Sequence, residues 1–234
     1  MPRIGGRVRL GAQMSSVARG QEPRDPAVGV PRWPAMIALL AIAGLFAFIS
    51  DRLTIVPSWL LLVVVVAVLL SATIAGRLER HVMRRRIAFI GLGIITVVII
   101  TSAILLVRQL FGGGVPAVTL LFGAASIWVA NCGIFAVWYW EIDGGGPGKR
   151  RTDGHISTDF LFPQLQVGDG TSSGGWWPGF IDYLFVAWNA STAFSPTDTL
   201  ILSRRAKVLM MIQSLVALVT VAVLAARAIN TIQQ

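Results

Sequence analysis

The chain is short of charge, lysine, histidine and cysteine, and each shortage removes a class of protein. Only 13% of its 234 residues are charged while 55% are hydrophobic, against about 25% charged in ordinary globular domains. So few polar side chains cannot clothe a soluble surface of this size. Disorder throughout is excluded as well, because Val, Ile and Leu abound. Cys132 is the single cysteine, so an intramolecular disulfide and a Cys-rich metal centre are excluded. His81 and His155 are the only histidines and do not make a zinc ligand set. Gly144-Gly145-Gly146-Pro147 is followed by no GK[ST] and makes no phosphate loop. No nucleophile–base–orienter set can be assembled, so no enzyme, cofactor or resident metal is expected.

What is there is a series of long apolar runs, and mean hydropathy is +0.71. The class this points to is an all-α polytopic membrane protein. The runs are Pro34 to Ser50, Leu53 to Gly76, Ile87 to Val107, Val115 to Trp140 and Val208 to Ala226. Ile87 to Val107 carries no charge over 21 residues, about 31 Å of helix and enough for a bilayer core. Between the last two runs lies Phe180 to Leu202, whose uncharged part Tyr183 to Thr197 has 15 residues. That is about 22 Å of helix, short of the ~30 Å core. The expectation is five spanning helices plus one short helix, either re-entrant or a sixth span. Four regions follow: a disordered basic tail at 1–33, a four-helix region at 34–140, a Gly/Pro-rich loop at 141–178, and a helix, loop and final span at 179–234.

The net charge of +9 comes from 20 basic and 11 acidic residues, and all basic residues but Lys149 and Lys207 are Arg. The charges sit between apolar runs, so they read as topology and not as a nucleic-acid footprint. With the N-terminus in the cytoplasm, Arg77 to Arg86 and Lys149 to Arg151 both fall inside. If 180–202 re-enters, Arg204, Arg205 and Lys207 also fall inside and the C-terminus lies outside. If it spans, those positions invert. Arg77, Arg80, Arg84, Arg85 and Arg86 also suit the head groups of anionic lipids.

The stretch FIDYLFVAWNASTAFSPTDTLILSRRAKVLMMIQSLVALVTVAVLAARAIN resembles the pore module of two-helix cation channels: an aromatic pore helix, a Thr-rich turn with an acid, then an inner helix. The resemblance implies a cation path in a homo-oligomer, lined by Thr192, Phe194, Ser195, Thr197, Asp198 and Thr199. Residues 191–199 lack the glycines that a potassium filter needs. The charge order puts 141–178 inside, so the module would enter from the cytoplasm, as in ionotropic glutamate receptors. The whole chain is also similar to a family of uncharacterised bacterial inner-membrane proteins that share WYWEIDGGGP (138–147), DFLFPQ (159–164) and DYLFVAWNASTAFSPTDT (182–199). That likeness implies an inner-membrane location and brings no activity.

Several polar residues have two readings. Asp198 either lines an ion path or belongs to a helix N-cap begun by Thr197 or Thr199. Glu141 and Asp143, two residues apart, either form a cation or ion-pair site or solvate a helix end against Arg84 to Arg86. Asp182 is a membrane-edge acid or an arginine partner. Asn131, Gln213 and Ser214 lie in apolar runs and are expected to hydrogen-bond between helices. The island Phe160 to Pro163 is expected to dock on the bundle. The channel reading has one rival, a non-transporting scaffold or accessory subunit that docks partners through 141–178.

Overall fold

A computed structural model describes residues 32–49, 53–54, 57–78, 81–112, 114–147, 149–150, 158–166, 176–192 and 198–232. Among them the chain is mostly helical: α1 (Trp33–Ala47), α2 (Ser58–Arg77), α3 (His81–Gly112), α4 (Ala117–Ile142), the single turn α5 (Pro163–Gln166), α6 (Phe180–Thr192) and α7 (Arg204–Ile232). A 3-10 turn, Asp143–Gly145, extends α4, and β1 (Phe160–Leu161) pairs antiparallel with β2 (Leu200–Ile201).

Three helices are long and apolar enough to cross a membrane: Val82–Gly112, Ala117–Gly145 and Arg204–Arg227. Two more apolar helices are shorter, Trp33–Ala47 and the Trp59–Ile74 part of α2. The runs expected at 34–50 and 53–76 therefore lose residues at their junction. Phe48 and Ile49 donate their N–H groups three residues back, to Leu45 and Phe46, which closes α1. Pro57 has no N–H and sits just outside α2, where Leu60 N–H bonds its carbonyl at 2.9 Å. Arg84 to Arg86 lie within the first turns of α3 and not in a loop before it. Arginine is a good helix former, so the cluster does not interrupt the helix.

Helix α4 is the hub, packing against α1, α3, α6 and α7. Two-thirds of its apolar stretch is buried, against 39% in α3 and 28% in α7. A helix apolar all round sits in the middle, while its neighbours turn apolar faces outward. Gly123 on α4 faces the fully buried Leu53, whose Cδ1 occupies the place a Cβ would take. Small residues at helix contacts let backbones approach in this way.

Helices α6 and α7 both start at the C-terminal end of α4, here called the base. At the base, Tyr183 on α6 and Arg205 on α7 bond Asp143 and the Ile142 carbonyl. Away from it, the Trp128 indole N–H reaches the Ser191 carbonyl at 3.2 Å. Trp128 lies fourteen residues before Ile142, about 21 Å along the axis. By Leu200 the chain is back at the base, where β2 pairs with β1 and Leu202 N–H bonds the Asp159 carbonyl at 2.9 Å. So α6 runs inward from the base for 13 residues, and Leu200 lies at the base again. Helix α7 runs on to the other end, where the Arg227 guanidinium meets the Leu110 carbonyl at 3.4 Å.

Candidate functional site

The base is built by the end of α4. Asp143 leaves the helix with ψ 126°, and Gly144, Gly145 and Gly146 follow at φ +56°, +81° and +103°. Three consecutive left-handed residues are cheap only for glycine. They fold the chain under the helix and keep Asp143 buried at 1% exposure.

Each oxygen of Asp143 meets two donors. Oδ1 accepts from the N–H groups of Asp159 at 2.7 Å and Phe160 at 3.2 Å. Oδ2 accepts from the Tyr183 hydroxyl at 2.5 Å and from Arg150 Nη1 at 3.4 Å. Arg150, 4% exposed, also donates to the Tyr183 oxygen at 2.6 Å and the Trp140 carbonyl at 3.0 Å. Its guanidinium stacks 4.9 Å from the Tyr183 ring. Asp159 forms the second half. Its oxygens take Arg205 Nε at 2.7 Å and Nη2 at 2.6 Å, a bidentate pair, and Oδ2 accepts Gly144 N–H at 3.1 Å. Burial works to raise the Asp159 pKa, but the Arg205 hydrogen bonds and charge outweigh it and hold the carboxyl below its ordinary value. Two carboxylates and two guanidiniums neutralise one another. Such a cluster is a clasp joining four segments.

Aromatic rings close around it. Phe160 packs on Tyr139 and Tyr183 with centroids at 5.0 and 5.9 Å, and Phe162 meets Tyr183 at 5.3 Å and Trp176 at 5.9 Å. This is how the 159–163 island docks on the bundle. Deeper in the bundle lies a second polar layer. Gln213 Oε1 accepts from the Tyr139 hydroxyl, and its Nε2 donates to the Ala187 carbonyl at 2.6 Å and to Ser191 Oγ at 2.8 Å. Asn131 Nδ2 donates to the Gln213 carbonyl at 3.0 Å, and Ser214 Oγ to the Ala190 carbonyl at 3.1 Å. The polar residues of the apolar runs thus bond between helices. Ser214 and Trp128 donate to the Ala190 and Ser191 carbonyls, two of the last four of α6, which lack helical partners.

The sequence-derived candidates fall in different places. Glu141 and Asp143 do not act as a pair. Glu141 turns to the opposite side and meets Arg32 at 3.6 Å, because residues two apart at a helix end do not share a face. Asp182 Oδ2 accepts the Gly179 N–H at 2.7 Å and so caps the start of α6. Thr192 ends α6 at depth, half-buried, donating to the Asn189 carbonyl at 3.2 Å. Asp198 is exposed and Thr199 buried, and they lead into β2. The N-cap reading for Asp198 does not hold, since α7 starts at Arg204 with Ser203 Oγ accepting the Ala206 N–H at 3.2 Å. Phe194, Ser195 and Thr197 lie outside the described residues, as do Arg80 and the Arg77 side chain.

Arg84, Arg85 and Arg86 gather with Arg32 and Lys149 around Glu141. The members of the clasp that sequence reasoning missed are Arg150, Asp159, Tyr183 and Arg205. Asp143, Asp159 and Tyr183 lie one each in the stretches 138–147, 159–164 and 182–199. Among the described residues, no group of three His, Cys, Asp or Glu gathers as a metal site. No family model, curated protein or solved structure matches the chain.

Proposed function

We propose that the protein is a multi-pass protein of a bacterial inner membrane. Its N-terminus is cytoplasmic, its five helices α1 to α4 and α7 span, and α6 is a re-entrant half-helix. The C-terminal module is channel-like and passes cations as a homo-oligomer. The observation that carries this reading is the course of the chain: α6 starts at the base and ends at depth, its deep carbonyls are taken up by Trp128, Gln213 and Ser214, and by Leu200 the chain is at the base again. Irregular backbone at membrane depth survives only where protein or water satisfies it. A half-helix followed by a long apolar helix is also the order of a pore module.

Further support comes from charge and depth. Arg32, Arg84, Arg85, Arg86, Lys149, Arg150, Arg204 and Arg205 gather at the base, whereas Arg227 meets the Leu110 carbonyl at the far end. Positive charge favours the cytoplasm, so the base faces inward and the C-terminus outward. The α1–α2 hairpin reaches Leu53 beside Gly123, eighteen residues from Glu141 along α4. That is about 27 Å, close to the full core.

The second reading, a non-transporting scaffold or accessory subunit docking partners through 141–178, rests on a different observation. The polar side chains between α4, α6 and α7 bond one another, while the outward faces carry Ile181, Phe185, Trp188, Met211, Leu215 and Leu218. A path would then have to form between copies, beside 192–199.

Cation flux into liposomes decides between the two. The channel reading expects flux, with Asp198→Asn lowering cation over anion selectivity. No flux in any oligomeric state favours the scaffold. A reporter fused after Gln234 tests the topology, and a cytoplasmic signal would overturn re-entry.

A further inference from the structure

A groove of about 340 Å³ lies between α1, α2 and α3, with α4 as its floor. That is within the usual range of small-molecule sites. Its walls are apolar, with Met36, Leu39, Val65, Leu69, Leu92 and Ile95 among them. The Thr73 hydroxyl on the wall is already bonded to the Leu69 carbonyl at 2.7 Å. Polarity appears at one end only, where Arg32, Arg84 and Glu141 stand.

The same three residues line a second cavity of about 570 Å³ at the base, which adds Arg85, Arg86 and Lys149. The two therefore adjoin at these residues: an apolar slot ends at a basic mouth lined by five cationic side chains and the single carboxylate of Glu141. Inside this mouth the buried Nε of Arg85 has no hydrogen-bond partner. From Arg84 to Ile95 the slot follows eleven residues of α3, about 16 Å.

We infer that slot and mouth together bind one anionic phospholipid, with an acyl chain between α1, α2 and α3 and its phosphate among Arg32, Arg84 and Arg85. A free phosphate would leave the slot unused, and a zwitterionic lipid would leave the surplus of positive charge uncompensated. The inference rests on the reading that the chain sits in a bilayer, and is independent of ion passage. It differs from a diffuse attraction of Arg residues to a charged surface, because an acyl chain must also fit.

The test is native mass spectrometry of the full chain purified with equimolar phosphatidylglycerol and phosphatidylcholine. One phosphatidylglycerol should be retained preferentially. Arg84→Gln with Arg85→Gln should cut that retention about 25-fold, at roughly fivefold per removed charge near a membrane surface, with phosphatidylcholine unchanged. Ala72→Trp, or the milder Ala88→Leu should the first not fold, fills the slot and should also lower phosphatidylglycerol retention while every cation remains. Equal retention of the two lipids would overturn the inference. So would slot-filling variants that hold phosphatidylglycerol like the parent, or glycerol phosphate competing as well as the lipid. A failure of the bilayer reading would look different: the chain would not partition into vesicles at all.

Discussion

Replacing Gln213 with leucine is the sharpest test of how α6 is held. The side chain makes three hydrogen bonds, to Tyr139, Ala187 and Ser191. Interhelical hydrogen bonds in membranes average about 0.6 kcal/mol each, so their loss costs about 2 kcal/mol. The Tyr139 hydroxyl is then left buried without its acceptor, and an orphaned polar group costs about 1–3 kcal/mol. Leucine refills part of the volume, which leaves about 3 kcal/mol net, or about 150-fold in an opening equilibrium. The loss is local, because the base of α6 stays clasped through Tyr183 and Asp143. Hydrogen exchange followed by mass spectrometry in detergent should show residues 186–192 exchanging about two orders of magnitude faster in Gln213→Leu. The amides of α3 should be unchanged. Unaltered exchange in 186–192 would refute the claim that this layer holds the inner half of α6. Uniform acceleration across α3, α4 and α7 would show that Gln213 supports the whole bundle instead.

Tyr183→Phe removes a hydroxyl that accepts from Arg150 and donates to Asp143, so thermal unfolding should show a loss of about 1–3 kcal/mol. Gly123→Val places methyl groups where Leu53 lies and should cost about 1–3 kcal/mol. Leu53→Ala should recover part of that loss in the double variant, and additive losses would show that the two do not touch. The depressed pKa of Asp159 means that its ion pair contributes stability above the unfolded carboxyl value, near 4, and loses it as pH falls through the lower folded value. Unfolding temperature should therefore drop below about pH 4, and Asp159→Asn should remove that part of the pH dependence.

The long helices were legible because an uncharged run such as Ile87 to Val107 has few alternatives to crossing a bilayer. The interhelical roles of Asn131, Gln213 and Ser214 were legible for a related reason: an amide or hydroxyl in an apolar run must find a partner. The clasp was not. Asp159 and Arg205 are separated by 46 residues, and Arg150 and Arg205 read in sequence only as markers of sidedness. The end of α6 was also hidden. Leu200 to Leu202 are apolar and continue the run in sequence, but a two-residue ribbon has no periodicity to announce it. Glu141 and Asp143 misled for the opposite reason. Closeness in sequence suggested a shared site, while the helix face turns Glu141 toward Arg32 and the turn after Ile142 carries Asp143 beneath the helix.

The two polar layers have a consequence for motion. The base ties Asp143, Arg150, Asp159, Tyr183 and Arg205 into one unit, so the turn after α4, the β ribbon, the start of α6 and the start of α7 move together. The deeper layer ties α6 to α4 and α7 a second time. A helix fixed at both ends by bonded neighbours cannot tilt without breaking one layer. Helix α6 is therefore held rigidly against α4 and α7. Asp143, with both oxygens taken, belongs to that rigid frame.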